Sequence, residues 1–166
     1  MPQQIDQLAD SPKAIITTNH GDIVIQFYTQ AAPELSNNFI ELAKSGYYDN
    51  LTFHRIVPGF VIQGGDPNGD GTGGESYTKE GLADEPGALA LKHIKGAVAC
   101  AKSSLPNSIG SQFYIAIQDV PMLDGEYSVF GQVVEGIEVV DKIAQVETDA
   151  QDKPKELVKI LKVTVT

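Results

Sequence analysis

With 166 residues the chain suits one domain and is long enough to bury a sizeable core without staples. Its hydrophobic content of 42% and charged content of 20% are ordinary for a globular domain. Against 22 Asp+Glu stand only 12 Lys+Arg, a formal net charge of -10, which argues against a nucleic-acid partner and an anionic membrane surface and reads as a device for solubility.

Residues 1–12 (MPQQIDQLADSP) are polar and read as a flexible N-terminal arm ahead of a domain over 13–166. They carry neither a basic start nor an apolar h-region, and no apolar run along the chain reaches membrane-spanning length. Residues 14–18 (AIITT) and 22–28 (DIVIQFY) predict two strands around an Asn19-His20-Gly21 hairpin turn. Pro33 then opens a helix whose buried face is Leu35, Phe39, Leu42 and Ala43, with Lys44 in its last turn and Gly46 as the stop. Residues 52–57 (TFHRIV) and 60–63 (FVIQ) predict two short strands separated by Pro58-Gly59.

From Gly64 to Lys95 periodicity vanishes, and nine of the chain's 16 glycines fall within residues 59–87, so a long loop held by its own contacts is expected. Strand character returns at 96–101 (GAVACA), 111–117 (SQFYIAI) and 127–134 (YSVFGQVV). Cys100, the single cysteine, lies in the first of these runs and reads as a buried structural thiol in a reducing, cytoplasmic protein. Gly136 precedes a second helix bearing Ile137, Val140, Ile143 and Ala144 on one face, and 156–166 alternates as a last strand. About eight strands and two helices without regular interleaving disfavour a parallel βαβ fold. They predict a mainly β, closed eight-stranded antiparallel β-barrel capped by the two α-helices.

Several motifs are decoys. GDGTGG (69–74) fits G-x-G-x-x-G, but no helix pattern follows to receive a pyrophosphate. DPNGDG (66–71) resembles the first half of a calcium loop, yet Tyr77 stands where the bidentate Glu belongs, leaving loose cation binding at Asp66, Asp70 and Glu75 as a weak alternative. His20, His54 and His93 lack metal-ligand spacing, and His54 reads as a hydrogen-bonded core histidine. Ser103, Ser104, Ser108 and Ser111 lack a nucleophile elbow.

The segment FHRIVPGFVIQGGD (53–66) is unusual, because a guanidinium and an amide sit in a run of β-branched and aromatic residues. Strand alternation puts Phe53, Arg55 and Val57 on one face, His54 on the other, and Val61 with Gln63 on one face of the next strand. On spacing alone the commoner role for Arg55 is a bridge between strands at the barrel surface. The segment, however, closely resembles the signature FHRxxPGFxxQGGD of the cyclophilins, the cyclosporin-binding peptidyl-prolyl cis-trans isomerases. GTGGES, SQFYI, LDGEYSVFGQVVEGIEVVDKI and the terminal strand resemble further cyclophilin segments in the same order, from about Lys13 to Thr166.

That resemblance implies a prolyl isomerase assisting protein folding, with Arg55, Phe60 and Gln63 as catalytic positions. It implies a proline site lined also by Val61, Ala101, Lys102, Gln112, Tyr114, Met122, Leu123 and Tyr127. No cofactor or metal is implied. The implied partners are proline-containing peptides and unfolded or partly folded proteins, bound by a monomer. Val61, Lys102, Tyr114, Met122 and Tyr127 depart from the family's usual Met, Asn, Phe, Trp and His. Tyr127 and the absence of Trp are similar to bacterial members, and the lost indole implies reduced affinity for cyclosporin. The segment AKSSLPNSIGSQ is one residue longer than the common eukaryotic pattern. These departures keep open an alternative, a proline-peptide binding module with little turnover.

Overall fold

The computed structural model describes residues 3–166. Strands β1 (Lys13–Thr18), β2 (Gly21–Phe27), β3 (Leu51–Thr52), β4 (Arg55–Val57), β5 (Val61–Gly64), β6 (Ala97–Cys100), β7 (Phe113–Ala116), β8 (Val129–Glu135) and β9 (Lys159–Val165) form one antiparallel sheet. Its order is β3-β9-β1-β2-β8-β6-β7-β5-β4. The two edge strands are separated in the chain only by Phe53 and His54. Residues 51–57 therefore pair with β9 at one end (Leu51↔Ile160) and with β5 at the other (Arg55↔Gln63), curling the sheet on itself. Counted as one strand, this stretch gives the eight expected from the sequence.

Period-two alternation sorts the side chains into two layers. Ile16, Ile23, Ile25, Phe27, Ile56, Ile62, Val98, Phe113, Ile115 and Phe130 point inward into the main core. Helix α1 (Pro33–Lys44) closes one end of the curl, starting at a Pro that needs no N–H partner there. It buries Leu35, Phe39, Leu42 and Ala43, as its apolar spacing predicts. Phe39 stacks on Tyr48 at 4.8 Å and meets Phe113 edge-on at 5.3 Å, an aromatic plug. The α1 N-terminus is satisfied from far away, since the Leu35 N–H donates to Glu85 Oε1 at 2.7 Å. Helix α3 (Ile137–Ile143) follows Gly136, whose φ of +85° suits only glycine without strain. A short third helix, α2 (Pro86–Leu89), lies within the region expected to be loop.

The opposite face of the sheet carries a second apolar cluster that includes Tyr28, Val61, Ala99, Tyr114, Ala116 and Val129. Part of the stretch expected to be a flexible arm is ordered against this face. Residues Gln4–Leu8 form a 3-10 turn that buries Leu8 in the cluster. Gln4 and Lys92 exchange two hydrogen bonds of 2.7 and 3.0 Å, and Gln26 Nε2 donates to the Leu8 and Ser11 carbonyls. No helix among the described residues is long and apolar enough to cross a membrane.

Candidate active site

Positions of the motif that the sequence marks as candidates meet on the outer layer. Arg55, Gln63, Tyr114 and Ala99 are successive partners across β4, β5, β7 and β6, so one rung of the sheet carries all four side chains outward. Phe53 does not share that face. It is buried in the inner core, because the strand breaks at 53–54 and the alternation restarts at Arg55.

A relay of hydrogen bonds orients the guanidinium. Arg55 Nη1 donates to Gln63 Oε1 at 3.3 Å, and Gln63 Nε2 donates to Gln112 Oε1 at 3.0 Å. Gln112 Nε2 donates to the carbonyls of Gly71 and Gly73, at 3.0 and 2.7 Å. The glycine loop that offers these carbonyls is pinned by Asp66, whose carboxylate accepts the backbone N–H groups of Asn68, Asp70 and Gly71 at 2.9, 3.2 and 2.6 Å. Those bonds occupy Asp66, and among the described residues no cluster of three or more His, Cys, Asp or Glu is placed to hold a metal ion.

Arg55 stands at the rim of a cavity of about 240 Å³ that is also lined by Phe60, Val61, Gln63, Ala101, Lys102, Tyr114, Leu123 and Tyr127. The buried side chains of Val61 and Tyr114 form its floor, with Phe60, Ala101, Leu123 and Tyr127 half-buried around them. The guanidinium is exposed rather than enclosed in apolar surroundings as its neighbours in sequence suggest, because the apolar groups form a wall beside it and not a lid over it. Two residues of the expected site lie elsewhere. Met122 is 67% exposed and outside the lining, because the 3-10 turn Pro121–Leu123 directs Leu123 inward instead. Gln112 lines an adjoining cavity of about 280 Å³, which shares Gln63, Ala101 and Lys102 with the first.

Tyr114 solves a problem that Phe would not pose. Its hydroxyl points away from the cavity and bonds His93 Nε2 at 2.7 Å, while His93 Nδ1 lies 2.9 Å from Asp124 Oδ1. With Asp124 accepting from Nδ1–H, the tyrosine hydroxyl donates to Nε2, and an apolar ring face is left for the cavity. The sequence signal for this pair was a Tyr in an otherwise apolar strand, which needs a partner for its hydroxyl. Burial holds His93 below the ordinary imidazole range, partly opposed by Asp124.

His54 departs from expectation. It is buried, yet neither ring nitrogen finds a hydrogen-bond partner among the described residues, because the ring packs against the glycine loop near Gly71 rather than against acceptors. Burial lowers its pKa as well, partly opposed by Asp66 and Asp70. Both histidines therefore refuse in the folded state a proton that the unfolded chain accepts near 6.5. Their contribution to stability is complete above that value and is lost as pH falls from 6.5 toward the depressed folded values. Denaturant unfolding at a series of pH values is expected to show the loss, and His93→Gln with His54→Leu to flatten it. Cys100 is buried, and burial pushes its thiol up, as expected of a structural rather than reactive cysteine.

Comparison with known proteins agrees with this architecture. A family model described as cyclophilin type peptidyl-prolyl cis-trans isomerase/CLD matches residues 13–165. Peptidyl-prolyl cis-trans isomerase-like 1 of Gibberella zeae is 41% identical over 153 residues, covering 91% of this chain and 93% of that protein. Peptidyl-prolyl cis-trans isomerase 9 of Schizosaccharomyces pombe is 46% identical over 152 residues, and there the match covers 92% of this chain but only 25% of the longer relative. A crystal structure of a Cryptosporidium parvum cyclophilin type peptidyl-prolyl cis-trans isomerase in the presence of the dipeptide Ala-Pro superposes with a TM-score of 0.87 at 37% identity, covering 93% of this chain and 98% of that one.

Proposed function

The chain belongs to the cyclophilin-type peptidyl-prolyl cis-trans isomerase family, and from that premise we propose that it catalyses rotation about Xaa-Pro bonds in proline-containing peptides and in unfolded or partly folded proteins. The observation that carries this reading is one guanidinium, oriented by Gln63, at the rim of a small cavity with an apolar floor. The planar amide resists rotation by about 18–20 kcal/mol because its nitrogen donates into the carbonyl. As the bond twists, the nitrogen becomes pyramidal and regains a lone pair. Arg55 donates a hydrogen bond to that lone pair in the twisted state alone, and such differential stabilisation lowers the barrier. Phe60, Leu123 and the Tyr114 ring grip the pyrrolidine, Gln63 steadies Arg55, and the backbone at Lys102 holds the adjoining peptide extended.

A protease-coupled assay on a Xaa-Pro peptide tests the proposal. Acceleration by the wild-type chain is expected; tight binding without acceleration would instead favour the binding-module reading. Cyclosporin is proposed to bind more weakly than to members with Trp at the Met122 position, since Met122 has no indole N–H and faces solvent. Met122→Trp is expected to tighten cyclosporin binding by about tenfold in titration calorimetry, the worth of one hydrogen bond. Unchanged affinity would remove this argument. We further propose a monomer working in the cytoplasm, where the buried Cys100 remains a thiol.

A further inference from the structure

Arg55 and Lys102 are the two cations in the cavity wall, and the second is already engaged. Lys102 Nζ donates to Asp84 Oδ2 at 2.5 Å and stands 5.1 Å from the centre of the Tyr127 ring. The other oxygen of Asp84 accepts from Ser128 Oγ at 2.6 Å. Tyr127 meets Tyr114 edge-on, with ring centres 6.0 Å apart. The Lys102 and Asp84 side chains are only 24% and 22% exposed, whereas the surface pair Lys95–Asp141 is 49% and 40% exposed. The Lys102 bridge is thus the better shielded from solvent and salt.

We propose that Lys102 is a positioning residue for the proline cavity. Anchored by Asp84, it holds the Tyr127 ring against Tyr114 and so sets the width of the slot that grips the pyrrolidine. Three segments are joined at this point: Lys102 follows β6, Ser128 precedes β8, and Asp84 belongs to the long loop before α2. An ammonium beside an aromatic ring is attracted by the ring's quadrupole. Without it the half-buried Tyr127 ring is held only by its edge contact to Tyr114 and its packing on the apolar cluster, neither of which fixes its two side-chain torsions as a charged neighbour does. The pyrrolidine is gripped in the planar and twisted states alike, so a looser slot weakens binding uniformly and appears in KM rather than kcat. Because Nζ is committed to Asp84, the effect is independent of charge on the substrate. This role rests on the isomerase reading above.

The test uses Lys102→Met, which keeps the aliphatic stem, and Lys102→Arg, which keeps the cation. Lys102→Met is expected to raise KM about three- to tenfold with kcat nearly unchanged, equally for Ala-Pro and Glu-Pro peptides. Lys102→Arg is expected to restore KM, and the Tyr127 ring resonances to shift in Lys102→Met alone. An unchanged KM in Lys102→Met, an equal loss in Lys102→Arg, or a loss confined to the Glu-Pro peptide would overturn the proposal. Should Lys102→Met fail to fold, Asp84→Asn, which unties the ammonium, is expected to raise KM for the Ala-Pro peptide in the same way, and an unchanged KM there would overturn the proposal. A wild-type chain without isomerase activity would sink the isomerase reading itself. Peptide affinity by calorimetry and the Tyr127 resonances would then still decide the clamp: weakening in Lys102→Met with rescue by Arg supports it, and no change in either overturns it.

Discussion

Arg55→Ala is expected to lower kcat/KM for a Xaa-Pro peptide by roughly 10²–10³-fold, the usual cost of one preorganised donor to a transition state. Uncatalysed exchange takes tens of seconds, so turnover in milliseconds needs about four decades, or roughly 5–6 kcal/mol. On the proposed mechanism, one charge-assisted hydrogen bond beside an apolar wall is expected to supply a large share of that, and ordering of the bound peptide the rest. Peptide affinity is expected to fall much less, because the planar amide offers the guanidinium no lone pair. Arg55→Lys keeps a cation but loses the fork that reaches Gln63 and substrate together, so it is expected to recover little. A protease-coupled assay with peptide titration in parallel measures both quantities. Equal losses in affinity and kcat/KM would mean that Arg55 merely binds.

Asp66→Ala is the second large expected effect, and it acts at a distance. Asp66 is 1% exposed, and its carboxylate holds three backbone N–H groups. Its loss strands these donors and is expected to cost about 3 kcal/mol of stability in denaturant unfolding. The same loss frees the Gly71 and Gly73 carbonyls, and with them the relay through Gln112 and Gln63 to Arg55. At a temperature where the variant remains folded, kcat is expected to fall by about tenfold, in line with a catalytic group misplaced by a fraction of an ångström. Gly73 belongs to the same construction: a Cβ there would come within 2.6 Å of Asp66 Oδ1. A wild-type unfolding midpoint in Asp66→Ala would refute the role of the carboxylate, and wild-type kcat would refute the relay.

The strands and the two principal helices were legible because their side chains alternate or recur with the period of the element they build. β2 buries Ile23, Ile25 and Phe27, and α1 buries Leu35, Phe39 and Leu42, as written. The region from Gly64 to Lys95 was not legible, because its order comes from side chains bonding to distant backbone. Asn38 holds the Tyr77 N–H and the Gly110 carbonyl, and Glu85 caps α1 from 50 residues away. Alternation also placed Arg55, Val61 and Gln63 together but misplaced Phe53, since no pattern marked the break at 53–54. Met122 and Leu123 are neighbours in sequence, and only the 3-10 turn decides which one reaches the cavity. His93 was weighed only as a metal ligand, and its pairing with Asp124 went unseen, because the pair's role depends on Tyr114, 21 positions beyond His93 in the chain.

The central claim is that Arg55 stabilises a prolyl amide only while it is twisted. Nuclear magnetic resonance exchange on an Ala-Pro peptide at saturating enzyme measures cis–trans interconversion of the bound molecule directly. Wild-type enzyme should interconvert bound peptide within milliseconds, while peptide bound to Arg55→Ala should interconvert at least about 10²-fold more slowly. Bound peptide that interconverts equally fast on both enzymes would contradict the account.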